Sequence, residues 1–234
     1  LDVRSDSQTT RQNRGSFIEV ARRRQIVETA IRTIARRGHS HASLAEIARD
    51  AGISKGVISY HFSGKDDLIE EILARLMREP AEFIKGRVAA CDTALSKLHA
   101  YVRANFEFMK ANRTGYVALV DLWESRDSPG GRNQFNADAY EPSRRYLGRI
   151  LEAGQEQGEF RPLVEHTVAS VIQAAIDGVM LQWVFDEQSV DLDACADEIL
   201  GMISRNLSVV PAGNDAPAGH GPVQEGQDDE RDRA

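Results

Sequence analysis

The sequence predicts an all-α fold: an N-terminal helix-turn-helix domain of three helices, followed by a larger helical domain. Three observations predict it. Apolar residues recur at three- and four-residue steps through most of the chain. Ser, Thr, Gly and Pro stand at the ends of those runs, where helices start and stop. No stretch alternates long enough to argue for a strand.

The elements follow in order. Residues 1–16 are polar and are expected to form a disordered arm. From Phe17 a helical stripe begins, through Val20, Ile26, Val27, Ala30, Ile31 and Ile34. Arg36, Arg37 and Gly38 end it, with cations in the last turn and glycine just beyond. Ser43 and Glu46 read as a capping box opening a short helix to Asp50. Gly52 breaks that helix, and Ser54 can cap the next, to about His61. Ser63 is expected to cap a longer one, with Asp66 and Asp67 in its first turn and Leu68, Ile69, Ile72, Leu73, Leu76 and Met77 as its buried stripe. The chain stays helical after Pro80. Leu95, Leu98, Val102, Phe106 and Met109 mark a helix from near Asp92. After a break at 111–115, Tyr116, Leu119, Val120 and Trp123 mark another. Residues 125–134, with Pro-Gly-Gly inside, are the clearest loop. Helices are expected near 138–157, 164–186 and 191–209. The Pro/Gly-rich, charged tail from 211 cannot bury a core and is expected to be disordered. The domain division is therefore 1–16 arm, 17–64 helix-turn-helix domain, 65–210 linking helix plus larger helical domain, and 211–234 tail.

Composition narrows the function. Among 234 residues, 41% are hydrophobic and 28% charged, as in an ordinary globular protein. No apolar run approaches the roughly 20 residues of a membrane span, and the first residues lack the apolar core of a signal peptide. Cys91 and Cys195 lie far apart, so a reducing cytoplasm fits. The net charge of −7 hides an asymmetry: residues 1–65 carry 12 Lys/Arg against 6 Asp/Glu, the remainder 17 against 30. A basic first quarter on an acidic body suggests that one end meets a polyanion. The six histidines (His39, His41, His61, His99, His166 and His220) form no ligand cluster, and no nucleophile elbow, phosphate loop or dinucleotide fingerprint is present. No catalysis, metal or cofactor is expected.

Residues 43–62 form a unit: a capped helix, the turn Ala51-Gly52-Ile53, and a second capped helix. A short glycine turn joins two helices steeply, as in a helix-turn-helix. Leu44, Ile47, Ala48, Ile53, Ile58 and Phe62 can face inward and lock the angle. The second helix then presents Lys55, Gly56, Val57, Ser59, Tyr60 and His61, a small and polar surface suited to the major groove. Gly56 lets the backbone approach base edges, Lys55 can reach guanine acceptors and Val57 a thymine methyl. Ser59, Tyr60, His61 and Lys65 lie where phosphates could be held. Ser43 and Ser54, at the two helix starts, complete the candidate DNA-binding set.

The run "SLAEIARDAGISKGVISYHFSGKDDLIEEIL" resembles the DNA-binding domain of the TetR family of bacterial transcriptional regulators. The resemblance rests on Gly38, Ser43, Ile47-Ala48, Ala51-Gly52-Ile53-Ser54, Gly56, Tyr60-His61-Phe62, Lys65 and Leu68, and covers residues 22–73. It implies three N-terminal helices, a linking fourth, and a larger helical domain that binds a small molecule and forms a homodimer. Ligand identity does not transfer.

Two features of the larger domain look like sensor parts. Phe106, Met109, Tyr116, Trp123, Tyr140 and Tyr146 could line an apolar cavity, or could be ordinary core; Trp123 is the best single candidate. The helix at 164–186 is apolar on two faces through Val168, Val171, Ile172, Ala175, Ile176, Val179, Met180, Trp183 and Val184, so one face can meet its own core and the other a symmetry mate. Leu192, Ile199, Met202, Ile203 and Leu207 on the last helix would complete that interface. Asp177, a polar residue inside this apolar helix, either supports the interface, the safer reading, or contacts a ligand. Phe106, Met109, Tyr116, Trp123, Tyr146 and Asp177 are the candidate ligand-binding residues. The expected protein is a cytoplasmic homodimeric repressor, released from a palindromic operator by a small-molecule effector. The alternatives are a helical-bundle enzyme or carrier without DNA binding, and an architectural DNA-binding protein without an effector.

Overall fold

The computed structural model describes the backbone of residues 4–124 and 131–207 and the side chains of 18–123 and 140–207. Within them the chain forms nine α-helices and one short 3-10 turn, with no β-sheet. They are α1 (Arg4–Arg37), the 3-10 turn (His39–His41), α2 (Leu44–Asp50), α3 (Lys55–His61), α4 (Lys65–Ala89), α5 (Ala94–Ala111), α6 (Arg113–Glu124), α7 (Gly131–Glu156), α8 (Glu165–Phe185) and α9 (Leu192–Leu207). The expected all-α architecture is the observed one.

Several boundaries moved. Residues 4–16, expected as part of a disordered arm, continue α1 as helix; they hold no proline, and the first glycine comes at Gly15. Ser63 does not cap α4. The N-cap is Gly64, and Asp67 reaches back to accept from the Ser63 backbone N–H at 2.8 Å and its hydroxyl at 3.2 Å. The acid ties the residue before the cap to the first turn, and Gly64 itself has no side chain to cap the helix. Thr93 opens α5 with a reciprocal capping box to Ser96. The break at 111–115 is a single residue, Asn112. The 125–134 loop falls largely outside the described residues, with α7 starting at Gly131, and the 211–234 tail lies wholly outside them.

Two cores form, and two helices belong to both. In the first, Ile26, Val27, Ala30 and Ile34 of α1 pack on Ile47, Ala48, Ile58, Phe62, Leu68, Ile72 and Leu73. Ala118, Leu119 and Leu122 of α6 are buried in this same cluster. The second core joins α5, α7, α8 and α9, and takes in Ile84 and Val88 from the far end of α4 and Val120 from α6. The expected linking helix, α4, therefore has a partner: α6 also spans the boundary. Helix α8 has the length and apolarity of a bilayer span, yet Ile172, Ile176, Met180, Trp183 and Val184 are buried in the helical core.

Candidate functional site

The helix-turn-helix is built by local chemistry. Ser43 accepts from the Glu46 backbone N–H at 3.2 Å. The other half of the expected box is missing, because the Glu46 carboxylate pairs with Arg37 and Arg49 instead. Gly52 turns the chain at φ +67°, a left-handed conformation that glycine adopts without strain. The turn closes through Gly52 N–H to the Arg49 carbonyl at 3.1 Å and Ile53 N–H to the Ala48 carbonyl at 3.0 Å. Ile58 and Phe62 are buried beneath α3. Arg23 of α1 fixes the far end of α3: its guanidinium donates to the His61 carbonyl and to Glu71, both at 2.8 Å, and lies 4.3 Å over the Phe62 ring. Thr33 and Arg36 hold Asp50 at the end of α2, at 2.9 and 2.5 Å.

That scaffold leaves Ser43, Ser54, Lys55, Gly56, Ser59 and Tyr60 exposed, with Val57 and His61 half-buried. Ser54 makes no capping hydrogen bond. Tyr60 is 73% exposed and donates to Glu19 at 3.0 Å, which raises its phenol pKa. Eight of the nine candidates thus lie along one unit. Lys65 departs from the set. It is half-buried, and its ammonium donates to the His39 carbonyl at 2.6 Å, tying the start of α4 to the turn after α1.

This separates the two lysines experimentally. Lys55→Ala should weaken operator binding by roughly 1–3 kcal/mol and relax sequence preference, as loss of a base-edge contact does. Lys65→Ala should lower the melting temperature and leave the slope of log affinity against log salt unchanged, because the contact it makes in the fold is to the His39 carbonyl. A flattened salt slope for Lys65→Ala would return that residue to the DNA face.

In the larger domain a cavity of about 100 Å³ opens between α4, α5, α6, α7 and α8. Its walls carry Tyr101, Tyr116, Trp123 and Tyr140, with Met109 and Met180, and Pro80 forms part of its α4 side. The Trp123 and Tyr140 ring centroids are 6.3 Å apart. Burial raises the phenol pKa values, to about 12 for Tyr101 and Tyr140, so these hydroxyls stay neutral at physiological pH. Asp177 is the one charged residue among the described lining. It accepts from Gln173 Nε2 at 2.9 Å, and Gln173 Oε1 accepts from the Tyr101 hydroxyl at 2.8 Å. Burial pushes the Asp177 carboxyl up to about 6, against the opposing hydrogen bonds from Gln173 and Tyr140. Across the cavity the Trp123 indole N–H is buried with no acceptor among the described residues.

Four of the six candidate ligand residues meet here: Met109, Tyr116, Trp123 and Asp177. Asp177 faces its own chain's cavity, so the interface reading of it gives way. Phe106 is buried in the core of the larger domain and does not line the cavity. Tyr146 stands on a neighbouring groove, its ring 6.1 Å from that of Tyr101. Tyr101, Asn105 and Gln173 were missed. A signal for the first two existed: 101, 105 and 109 repeat at four-residue steps and share one face of α5.

Helix α6 connects cavity and DNA-reading unit. Trp123 and Tyr116 form cavity wall, while Asp121 accepts from the His39 backbone N–H at 2.5 Å. The Asp121 carboxylate and the Lys65 ammonium thus hold the two polar groups of one residue in the turn that follows Gly38, which sits at φ +79°. Among the described residues no three His, Cys, Asp or Glu side chains gather as a metal site.

A helix-turn-helix joined through shared helices to a larger domain with an aromatic-lined cavity defines a transcriptional regulator with a ligand-binding domain. Comparison with known proteins agrees. Residues 26–72 match the family described as bacterial regulatory proteins, tetR family, and residues 94–206 match the BetI-type transcriptional repressor C-terminal domain. The HTH-type transcriptional regulator BetI of Vibrio parahaemolyticus is 30% identical over 193 residues, covering 80% of this chain and 92% of that protein. The fatty acid metabolism regulator protein of Bacillus subtilis is 25% identical over 180 residues, 76% of this chain and 92% of that one. The structure of a regulator from Saccharomonospora viridis in complex with choline superposes with a TM-score of 0.71 at 28% identity, covering 80% of this chain and 98% of that one. The chain belongs to the TetR family of bacterial transcriptional regulators. These relatives are regulators rather than enzymes.

Proposed function

We propose that this protein is a homodimeric cytoplasmic repressor that leaves a palindromic operator when a small organic cation of the quaternary-ammonium class fills the cavity. The observation that carries the reading is Asp177, the one charge in the described lining, which shares the cavity wall with Trp123, Tyr116, Tyr140 and Tyr101. Aromatic faces attract an ammonium group, more strongly when it is desolvated. A buried carboxylate supplies the countercharge. The likeness to a regulator crystallised with choline supports the same class. In this reading residues 17–64 read DNA through Ser43, Ser54, Lys55, Gly56, Val57, Ser59, Tyr60 and His61, and residues 65–210 sense and dimerise.

Dimerisation falls to α8 and α9. Val171, Ala174, Leu181 and Phe185 are exposed at three-, four- and seven-residue steps along α8, and Met202 is exposed on α9. Gly178 lies in the same stripe, and a Cβ placed there would meet nothing within 4 Å. An apolar stripe of this kind suits an isologous interface. Two recognition helices related by that axis would sit about 34–36 Å apart, on successive major grooves of a palindrome.

Release passes through α6. A ligand against Trp123 and Tyr116 moves a helix whose other face is core of the DNA-reading domain, and whose Asp121 holds the His39 turn. Asp121→Ala should leave ligand affinity within about twofold and make the operator complex less responsive to ligand, read by anisotropy of a labelled operator. Full release with unchanged midpoint would remove Asp121 from the route. The reading as a whole is tested by calorimetric titration of choline into the free protein and into the operator complex. Reciprocity requires weaker binding to the complex, typically 5- to 150-fold. Equal affinities would refute ligand-driven release.

A further inference from the structure

We infer that the natural effector is zwitterionic, with its cationic head in the cavity and an anionic group, carried several bonds away, in a basic groove outside it. The inference rests on the cation reading of the cavity and extends it. At about 100 Å³ the cavity alone is small against the roughly 300–1,000 Å³ typical of ligand sites. A second hollow of about 320 Å³ adjoins it, and the two share Ala81, Ile84, Tyr101 and Ser143 as a common wall. Together they reach the usual range.

The charge reverses at that wall. Inside, the only charge in the described lining is the Asp177 carboxylate. Outside, the described lining holds Lys85, Arg145 and Arg149 and no carboxylate. Arg145 is tied to Glu141 at 3.1 Å. Arg149 lies 5.7 Å over the Tyr146 ring, and among the described residues neither it nor Lys85 is ion-paired. Three cations around one groove repel one another, and an anion between them relieves that repulsion. The patch also runs against its surroundings, since residues 66–234 carry 17 Lys/Arg against 30 Asp/Glu. A molecule that spans both hollows would have positive charge at one end and negative charge at the other. A bare cation matches one end alone, while a zwitterion with separated charges matches both.

Separation matters. In glycine betaine the carboxylate is one carbon from the quaternary nitrogen, so it would be carried inside toward Asp177 and repelled. In phosphocholine the phosphate is two carbons and an oxygen away and can remain outside. Calorimetry at low salt should therefore rank phosphocholine above choline by about 5- to 10-fold, as two exposed charge contacts allow, and glycine betaine below both. The Lys85→Ala, Arg149→Ala double variant should bring the ratio of phosphocholine to choline affinity to about one, and 0.5 M salt should shrink it in the wild type. A circular-dichroism melt establishes that the variant is folded.

If choline binds in an Asp177-dependent way and phosphocholine binds no tighter, the zwitterion inference is wrong and the cation reading stands. A phosphocholine advantage that survives the double variant likewise removes the groove from recognition. Absence of binding by every probe overturns both readings.

Discussion

Asp177→Asn should abolish recognition of an organic cation and, at the same time, stabilise the empty protein at neutral pH. Both effects come from burial. The carboxyl is held up to about 6 by desolvation, so the folded state binds its proton more tightly than the unfolded chain, whose group titrates near 3.8. For an acid raised in this way the folded state is favoured below the unfolded pKa. That advantage is lost as pH climbs through the window between about 4 and 6, and above it the charged, buried carboxylate is a liability. The difference corresponds to about 3 kcal/mol at most at pH 7.5, by the conversion of pKa shift to free energy. Asparagine keeps the shape and an oxygen that can accept from Gln173, and it removes the charge. The melting temperature of the Asn variant should exceed that of the wild type at pH 7.5, and the gap should shrink to roughly half by pH 5 and close only below about pH 4. Affinity for choline should fall by two orders of magnitude or more, the loss expected when a desolvated ion pair is removed. In the wild type, choline should bind more tightly as pH rises through 6 and level off above about 7, because the proton competes with the cation for the same carboxylate. An Asn variant that binds choline as the wild type does would place the cation elsewhere, whatever its stability.

The second large effect concerns assembly and separates two residues that lie two positions apart. Phe185 is 68% exposed and Val171 64%, on the same stripe of α8. Trp183 is 5% exposed, packed in its own chain's core with the Arg113 guanidinium 5.5 Å over its ring. Phe185→Asp and Val171→Asp should each fold normally, sediment as monomers and lose tight operator binding, since a single recognition helix reaches only one half-site. A charge buried without a partner costs about 3–5 kcal/mol, and a two-fold axis presents it twice. Trp183→Asp should instead unfold the larger domain, because the same unpaired charge would then sit inside the monomer. The sequence pattern alone does not divide Trp183 and Val179 from their apolar neighbours on this helix. Intact dimers of Phe185→Asp and Val171→Asp in sedimentation would move the interface off this face.

The DNA-reading unit was legible in the sequence because its determinants are local. A serine at a helix start, a glycine at φ +67° and apolar residues at short spacing specify two helices and the angle between them, whatever the rest of the chain does. The all-α class was legible for the same reason, since helical periodicity is a property of each segment. What the sequence left open is what depends on orientation between distant segments. The cavity draws on five helices between residues 76 and 180, and no spacing rule says which aromatic side chains converge: Tyr116, Trp123 and Tyr140 do, Phe106 does not. Helix α8 is apolar nearly all round, so its pattern could not tell the face against its own core from the face left open; packing against α7 and α9 decided that Trp183 is inside and Phe185 outside. Lys65 read as a phosphate ligand from its place in the chain, and only the fold shows that its ammonium donates to the His39 carbonyl, 26 residues away. Helix α6 read as sensor alone, and only tertiary contact placed Ala118, Leu119 and Leu122 in the core of the other domain. Local hydrogen bonds and backbone preferences are written residue by residue, whereas burial and electrostatic environment arise only when remote surfaces exclude water between them.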